Sequence, residues 1–273
     1  MRTSIAMTLA AVAAAGAIAT LSAVAADKDD VARFMKSGEC PKCDLRRADI
    51  KQLSRDGANL KRAMLRDIDA KEVSLPHGDF GKADLRRADL EKADLTEANL
   101  SKANLSGADL EKAILVGANL ANSDLSEADM EKVDATRANF SRANLENVLA
   151  KRSNFTEANL AGADLSRIRL ERSNLTGANL AGATMKHADL ERADLAGANL
   201  TEADLTGARL TRANLRGARL VEANLEDVLL RLADLSGADL TDVSGLTQEM
   251  LVGACGDAET KGPDWLQIPM CKK

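Results

Sequence analysis

The sequence predicts an all-β protein, a solenoid of about ten stacked coils with four sides each. Two repeat lengths and one feature of the composition predict this fold. Apolar residues recur at every fifth position, a second pattern recurs at every twentieth, and aromatic residues make up only 2% of the chain. A period of five fits neither the helical period of 3.6 nor the strand period of 2. Self-similarity at a fixed period is typical of solenoids, in which each unit packs on its neighbours.

The fivefold repeat runs without a break from Leu45 to Leu240. Of the 40 positions at this spacing, 36 are Leu, Ile, Met or Phe, and the exceptions are Arg55, Ala70, Ala135 and Ala150. Ala stands two places earlier at 28 of the 40 positions, and Asp or Asn stands one place earlier at 30. The phase never slips, so the repeat contains no insertion that would form a loop between coils.

A second, longer period sets the size of one coil. Pairs of Glu followed by Lys or Arg begin at residues 91, 111, 131, 171 and 191, all in register at 20, and the asparagines 99, 119, 139, 159, 179 and 199 share the same spacing. A residue type selected at every twentieth position has the same neighbours at every twentieth position, so one coil uses four of the fivefold units. Coils that pair as parallel strands lie about 4.8 Å apart, which predicts a rod about 45 Å long.

The repeated unit A(D/N)LxX is shown by residues 88–113, ADLEKADLTEANLSKANLSGADLEKA. Over Cys43 to Asp242 the chain resembles the pentapeptide-repeat family, and its tail is similar to that of exported bacterial members. The resemblance implies a right-handed quadrilateral parallel β-helix over 43–242, with the Leu and Ala columns inside. Residues 26–42 would then form an N-terminal cap, and residues 243–273 a C-terminal cap with a short helix.

Both ends of such a stack need caps, because unpaired strand edges invite polymerisation. In the N-terminal cap, Val31, Phe34 and Met35 have helical spacing behind a run of acidic residues. In the C-terminal cap, the sequence predicts a short helix over 247–254 with Thr247 as its N-cap. After that helix, the apolar residues expected to fold back over the last coil are Trp265, Leu266 and Ile268.

The segment 1–25 is predicted to be a secretory signal peptide. Arg2 supplies a positive charge, an apolar run follows from Ile5 to Leu21, and Ala23-Val24-Ala25 forms an A-x-A cleavage site. An uncleaved membrane anchor is the alternative, but the run is short for a span and rich in Ala and Thr. Cleavage predicts a periplasmic or secreted protein with no remaining membrane span.

Four cysteines flank the repeat: Cys40, Cys43, Cys255 and Cys271. They allow three pairings, and two of these would join opposite ends of the rod. Because disulfide Cα atoms lie within about 7 Å, Cys40–Cys43 and Cys255–Cys271 are the pairs that remain within one chain. A redox pair or half a metal site is the alternative at Cys40 and Cys43, although no thioredoxin-like pattern or neighbouring His accompanies them.

The outward positions carry adjacent columns of opposite charge. Such columns predict solvated ion pairs, each of small effect, and a docking surface for a charged partner is the alternative. The residues of this possible interaction face are Glu91, Lys92, Glu111, Lys112, Glu131, Lys132, Glu171, Arg172, Glu191 and Arg192.

A column of carboxylates raises the idea of a cation site, because closely spaced carboxylates bind calcium. Its members are Asp49, Asp69, Asp89, Asp109 and Asp129. Hydrogen bonds to turn backbone and neighbouring lysines are the preferred explanation for these residues. The sequence therefore predicts neither a metal nor a cofactor.

Two features weigh against catalysis and nucleic-acid binding. An enzyme needs walls around a cleft, whereas this repeat has no insertions, and His77 and His187 fall in different columns. The net charge of −5 and the lack of aromatic stacking platforms argue against nucleic acid as a partner.

A rigid, non-enzymatic, exported rod is the function that remains, either an interaction scaffold with an unidentified protein partner or a structural element of the envelope. The alternative that the family resemblance implies is an acidic, DNA-mimicking rod that binds a topoisomerase or another DNA-binding protein. The sequence leaves the oligomeric state open.

Overall fold

A computed structural model describes residues 25–271. The predicted signal peptide, residues 1–25, therefore lies outside the described residues except for Ala25. Parallel bridges join residues 20 positions apart, from Glu39–Asn59 at one end to Asn224–Ser244 at the other. This pairing confirms the coil length expected from the sequence, and it makes the repeat a stack of four-sided coils.

The unit of residues 118–122 shows why the period is five. Asn119 is the only residue of the unit that bridges, so each side of a coil is one isolated bridge and not a longer strand. The backbone N–H of Leu120 donates to Asn139 in the next coil at 2.7 Å, while the N–H of Asn119 donates to Ala98 in the preceding coil at 2.9 Å. A two-residue turn, Ala121-Asn122, then rotates the chain onto the next side.

The second turn residue of nearly every unit has a left-handed backbone. Asn122 has φ of +58°, and the same conformation holds Lys112 at +61° and Arg152 at +57°. This conformation costs roughly 1–2 kcal/mol for an L-residue other than Gly. A hydrogen bond to the next coil offsets the cost, as in Asn122 N–H to Ser141 at 3.0 Å. The position therefore accepts charged residues as well as Gly.

The core is the pair of Leu and Ala columns along the axis, buried almost throughout. Where the central residue shrinks to Ala135 or Ala150, the residue two places earlier is Val133 or Val148, and all four are buried. The volume is thereby kept, as close packing requires. Arg55 is different, since its guanidinium turns out of the column and donates to the carbonyl of Met35 at 2.6 Å.

Asp and Asn next to the core hold the turns. Asn119 Oδ1 accepts from the N–H of Ala121 at 3.2 Å, the usual role of these residues in turns. Along one side the asparagines also form a ladder, with Asn139 Nδ2 donating to Asn119 Oδ1 at 3.2 Å and Asn159 Nδ2 donating to Asn139 Oδ1 at 3.1 Å. Asp and Asn beside the core thus bind the turn backbone, and the asparagines also bind one another along the axis.

The N-terminal cap contains helix α1, Lys28–Ser37. Asp27 caps it, accepting from the N–H groups of Asp29 and Asp30. Phe34 is fully buried over the first coil, and Val31 packs at the edge of the core. Met35, the third apolar residue at helical spacing, is 42% exposed.

The C-terminal cap differs from its prediction in four respects. The helix is a 3-10 helix, Gln248–Leu251, shorter than 247–254, and the side chain of Thr247 makes no capping hydrogen bond. Leu266 and Ile268 pack against the core as expected, but Trp265 is 57% exposed. The backbone also forms a further partial coil, because Cys255 and Lys261 bridge to the residues 21 and 22 positions before them.

Candidate interaction face

One side of the solenoid carries all ten residues of the possible interaction face. This side, the charged face, consists of the outward residues of the units centred at every twentieth residue from Ile50 to Leu230. Each unit contributes the residue before the centre and the two residues after it. The Glu and Lys/Arg columns therefore run side by side along the axis, as the spacing of 20 predicts.

In the N-terminal half of the charged face, 49–132, the charges pair between coils. Lys92 Nζ lies 3.1 Å from Glu72 Oε1, and Glu111 Oε1 lies 2.9 Å from the Nζ atoms of both Lys112 and Lys132. Hydrogen bonds from Lys132 and Lys112 lower the pKa of Glu111 to about 2. These ion pairs oppose the repulsion between like charges within each column.

The ion pairs of Glu111 predict a pH dependence. Because its folded pKa is lowered, Glu111 stabilises the fold above pH 4.5, and this stabilisation is lost as the pH falls from 4.5 towards about 2. Glu111→Gln should therefore lower the melting temperature by about 1 °C at pH 7 and leave it unchanged near pH 2. Thermal unfolding followed by circular dichroism across this range is the measurement.

Glu131→Gln is the matched control, because Glu131 occupies the same column one coil further on and forms no ion pair among the described residues. Its melting temperature should stay close to that of the wild type at every pH. A deficit of Glu111→Gln that stays constant from pH 7 to pH 2 would contradict the ion-pair explanation.

The aspartate column is paired with lysines only towards its N-terminal end. Lys51 Nζ lies 2.6 Å from Asp69 Oδ2, and Lys71 Nζ lies 3.0 Å from Asp89 Oδ2. Partial burial, together with the neighbouring carboxylates of Asp89 and Asp129, raises the pKa of Asp109. Asp69 and Asp89 are thus paired with lysines, whereas Asp109 and Asp129 form no ion pair within residues 25–271 and accept from the backbone N–H groups of Glu111 and Glu131, each at 2.9 Å.

Two groups of side chains within residues 25–271 have metal-compatible spacing, Asp30 with Cys40 and Cys43, and Asp234 with Cys255 and Cys271. In both groups the sulfurs form disulfides, with Cα–Cα distances of 5.3 Å for Cys40–Cys43 and 4.8 Å for Cys255–Cys271. A disulfide sulfur lacks the thiolate that binds a metal. The structure thus has the predicted pairing, and each disulfide staples one cap.

In the C-terminal half of the charged face, 149–232, the sign of the charge changes. The residue before the centre is no longer Asp in four of the five coils, where Leu149, Arg169, Arg209 and Leu229 stand. This half carries eight basic and three acidic residues, a net charge of +5, whereas the first half carries five basic and nine acidic residues, a net charge of −4. The charged face is therefore acidic in its N-terminal half and basic in its C-terminal half.

Sequence reasoning missed part of this half, because it selected positions where Glu precedes Lys or Arg. Arg152 and Arg212 follow Lys151 and Thr211 and so did not belong to such a pair. A signal was present, since a basic residue stands at every twentieth position from Lys92 to Arg212.

The fold and the face together define a four-sided parallel β-solenoid with charged outer columns. The family model described as pentapeptide repeats matches the chain in eight copies, over residues 79–115, 113–149, 153–192, 173–212 and 208–244. These segments cover more than half of the chain, and the protein belongs to the pentapeptide repeat family. Members of this family fold as right-handed quadrilateral β-helices and are generally structural or interaction proteins.

Several solved structures are similar to this chain. HetL of the cyanobacterium Nostoc sp. strain PCC 7120, a pentapeptide repeat protein involved in the regulation of heterocyst differentiation, is 29% identical, with 79% of this chain and 97% of HetL covered and a TM-score of 0.47. A pentapeptide repeat protein of the Arabidopsis thaliana thylakoid lumen is 36% identical over 34% of this chain and 68% of its own, with a TM-score of 0.28.

QnrB1, a plasmid-mediated fluoroquinolone resistance protein, is 16% identical in its full-length form, with 77% of this chain and 94% of QnrB1 covered and a TM-score of 0.27. No curated protein matches the sequence significantly. Family membership rests on the repeat sequence and not on these superpositions.

Proposed function

We propose that this protein is an exported, non-enzymatic rod that binds partner proteins along its sides, as an interaction scaffold or a structural element of the cell envelope. The observation that carries the proposal is the uninterrupted charged face, whose outward side chains are held in straight columns by coil-to-coil hydrogen bonds. A long rigid face binds a protein without the ordering cost that a flexible surface incurs.

Two features support export. The segment 1–25 has the composition of a signal peptide, and both cysteine pairs are disulfides, which persist in oxidising compartments such as the periplasm. In residues 25–271, no helix has the length and apolar character needed to cross a bilayer. On the signal-like segment and the two disulfides we base the proposal that the mature protein lies in the periplasm or outside the cell.

A scaffold fits the surface better than an enzyme does. The described repeat carries no inserted loop that would wall a cleft, and His77 and His187 lie on different sides of different coils. His77 contacts carboxylates, with Nδ1 2.6 Å from Asp56 Oδ1, but all of these groups are exposed on the outer surface. A catalytic acid–base pair needs a desolvated site.

The DNA-mimicking alternative requires an acidic rod. The net charge of +5 on the C-terminal half of the charged face places a long basic patch where a mimic of the phosphate backbone needs negative charge. We therefore favour the scaffold.

Photo-cross-linking from each of the four sides in living cells tests the proposal. A photoreactive residue replaces Ser141, Ser166, Thr176 or Thr211, which are half-exposed and lie on four different sides. We expect reproducible adducts with a periplasmic or extracellular protein from at least one side and few from the opposite side.

N-terminal sequencing of the same preparation tests export, and the expected N-terminus lies near residue 26. The absence of a reproducible adduct from any side would contradict the scaffold. A cytoplasmic pool that retains Met1 would contradict export and favour the DNA mimic.

A further inference from the structure

One edge of the charged face carries a basic residue in seven consecutive coils. These residues are Lys92, Lys112, Lys132, Arg152, Arg172, Arg192 and Arg212. Neighbouring members are about 4.8 Å apart along the axis, because adjacent coils pair as parallel strands. The last four, residues 152, 172, 192 and 212, are named the arginine ridge.

The backbone holds this edge rigidly. Arg152 and Arg172 have φ of +57° and +60°, and their N–H groups donate to the carbonyls of Glu171 and Glu191 in the following coil, each at 3.0 Å. The guanidinium groups therefore project in register from a fixed row of Cα atoms. A partner that binds this row orders only its own chain and the arginine side chains.

The lysines of the same column are already neutralised within the chain. Lys92 pairs with Glu72 at 3.1 Å, and Lys112 and Lys132 share Glu111 at 2.9 Å. A partner that bound these three lysines would have to compete with Glu72 and Glu111.

The arginine ridge lacks such partners, because other cations take the nearby carboxylates. Lys151 pairs with Glu171 at 3.0 Å, and Arg209 pairs with Glu191 at 2.9 Å. Arg192 has only a 3.8 Å contact with Glu191. The ridge arginines that form no ion pair within residues 25–271 are Arg152, Arg172 and Arg212.

An exposed apolar patch adjoins the C-terminal end of the ridge. Leu232 continues the column of the ridge by one coil and is 46% exposed, and Leu229 on the same side is 53% exposed. Val252 is 73% exposed, and the next residue, Gly253, lies against Leu232, since a Cβ added at Gly253 would stand 3.7 Å from Leu232 Cδ2. Along the axis, the row of unpaired arginines is thus followed by exposed leucines.

From this arrangement we infer that the arginine ridge binds an acidic polypeptide segment whose apolar residues lie on Leu229, Leu232 and Val252. The guanidinium group of arginine forms bidentate hydrogen bonds with carboxylates. The adjoining leucines favour a chain with both acidic and apolar side chains over a uniformly charged polymer. This inference rests on the proposed scaffold function and names the chemistry of the partner.

Fluorescence anisotropy with a defined probe tests the inference. The probe is a fluorescein-labelled peptide with a run of glutamates that ends in two leucines, and its control replaces every Glu by Gln. We expect the acidic peptide to bind and its affinity to fall as sodium chloride rises from about 50 to about 300 mM. The Gln peptide should bind far more weakly.

Two matched triple variants locate the site. Arg152→Asn, Arg172→Asn and Arg212→Asn together should weaken peptide binding about tenfold. Lys92→Asn, Lys112→Asn and Lys132→Asn, which removes the same charge from the same column, should weaken it less than about twofold. Asn is compatible with this backbone, since Asn122 and Asn147 already have φ of +58°.

A third variant, Leu229→Ser with Leu232→Asn, separates a polypeptide from a bare polyanion. It should weaken the binding of the leucine-ended peptide and leave that of a glutamate-only peptide unchanged. Equal losses in both triple variants, no peptide binding by the wild type, or tighter binding of heparin or polyphosphate than of the peptide would each overturn the inference.

Failure of the inference is distinguishable from failure of the proposed function. If photo-cross-linking captures a partner whose adducts persist in the arginine triple variant, the scaffold stands and the ridge is not its binding site. If no side yields adducts, the scaffold itself fails.

Discussion

Leu180→Arg is expected to unfold the solenoid at 25 °C. Leu180 is fully buried, and Leu160 and Leu200 lie on either side of it in the same core column. An arginine there places a charge with no partner among aliphatic side chains, at a cost of several kcal/mol. Because the stability of a domain is only about 5–15 kcal/mol, we expect loss of the cooperative thermal transition by circular dichroism and rapid digestion by trypsin.

The control for this prediction is Glu191→Ala, half a coil away on the charged face. The substitution removes the ion pair between Glu191 and Arg209, which are 2.9 Å apart. Exposed ion pairs contribute only about 0–1 kcal/mol to stability. Its melting temperature should fall by no more than about 4 °C. If Glu191→Ala unfolded the protein while Leu180→Arg did not, the assignment of inner and outer columns would be reversed.

Removal of the Cys255–Cys271 disulfide should release the C-terminal cap. The bond joins cysteines with a sequence separation of 16, and loops of this length correspond to about 3 kcal/mol of stabilisation in the chain-entropy model. The closed segment covers the last coil, where the N–H of Leu235 donates to Cys255 and that of Leu240 donates to Lys261. In Cys255→Ala with Cys271→Ala, hydrogen exchange should accelerate over about 233–271 and stay slow in the central coils.

The matched variant is Cys40→Ala with Cys43→Ala. Its cysteines have a sequence separation of only 3, so the same model predicts about half the stabilisation, and Cys43 occupies a position where other coils carry Ala. Uniform acceleration across the whole chain in either double variant would contradict the view that each disulfide acts on its own cap.

Most features of the solenoid could be predicted from the periodicity of the sequence. Each coil repeats the environment of the one before it at a spacing of 20 positions, so the columns seen in the sequence are the columns seen along the axis. Val133 and Val148, two places before Ala135 and Ala150, are buried for the same reason, since a small central residue leaves volume that its neighbour must fill.

The caps were harder to predict because they do not repeat. After residue 242 the spacing between bridged positions shifts from 20 to 21 and then 22, and no periodic signal marks such a shift. An isolated apolar residue such as Trp265 also has no column that would indicate whether it faces the core, and in the structure it is exposed.

For this protein the sequence alone determined the family, the coil length and the core, because each depends on contacts between positions at a fixed spacing. Tertiary structure decided which charges are neutralised, because several cations surround each carboxylate and the placement of the side chains sets which of them it contacts. Glu111 lies between two lysines, whereas Glu171 and Glu191 are drawn to Lys151 and Arg209. In the column from Lys92 to Arg212 the lysines therefore form ion pairs within the chain, whereas Arg152, Arg172 and Arg212 form none within residues 25–271.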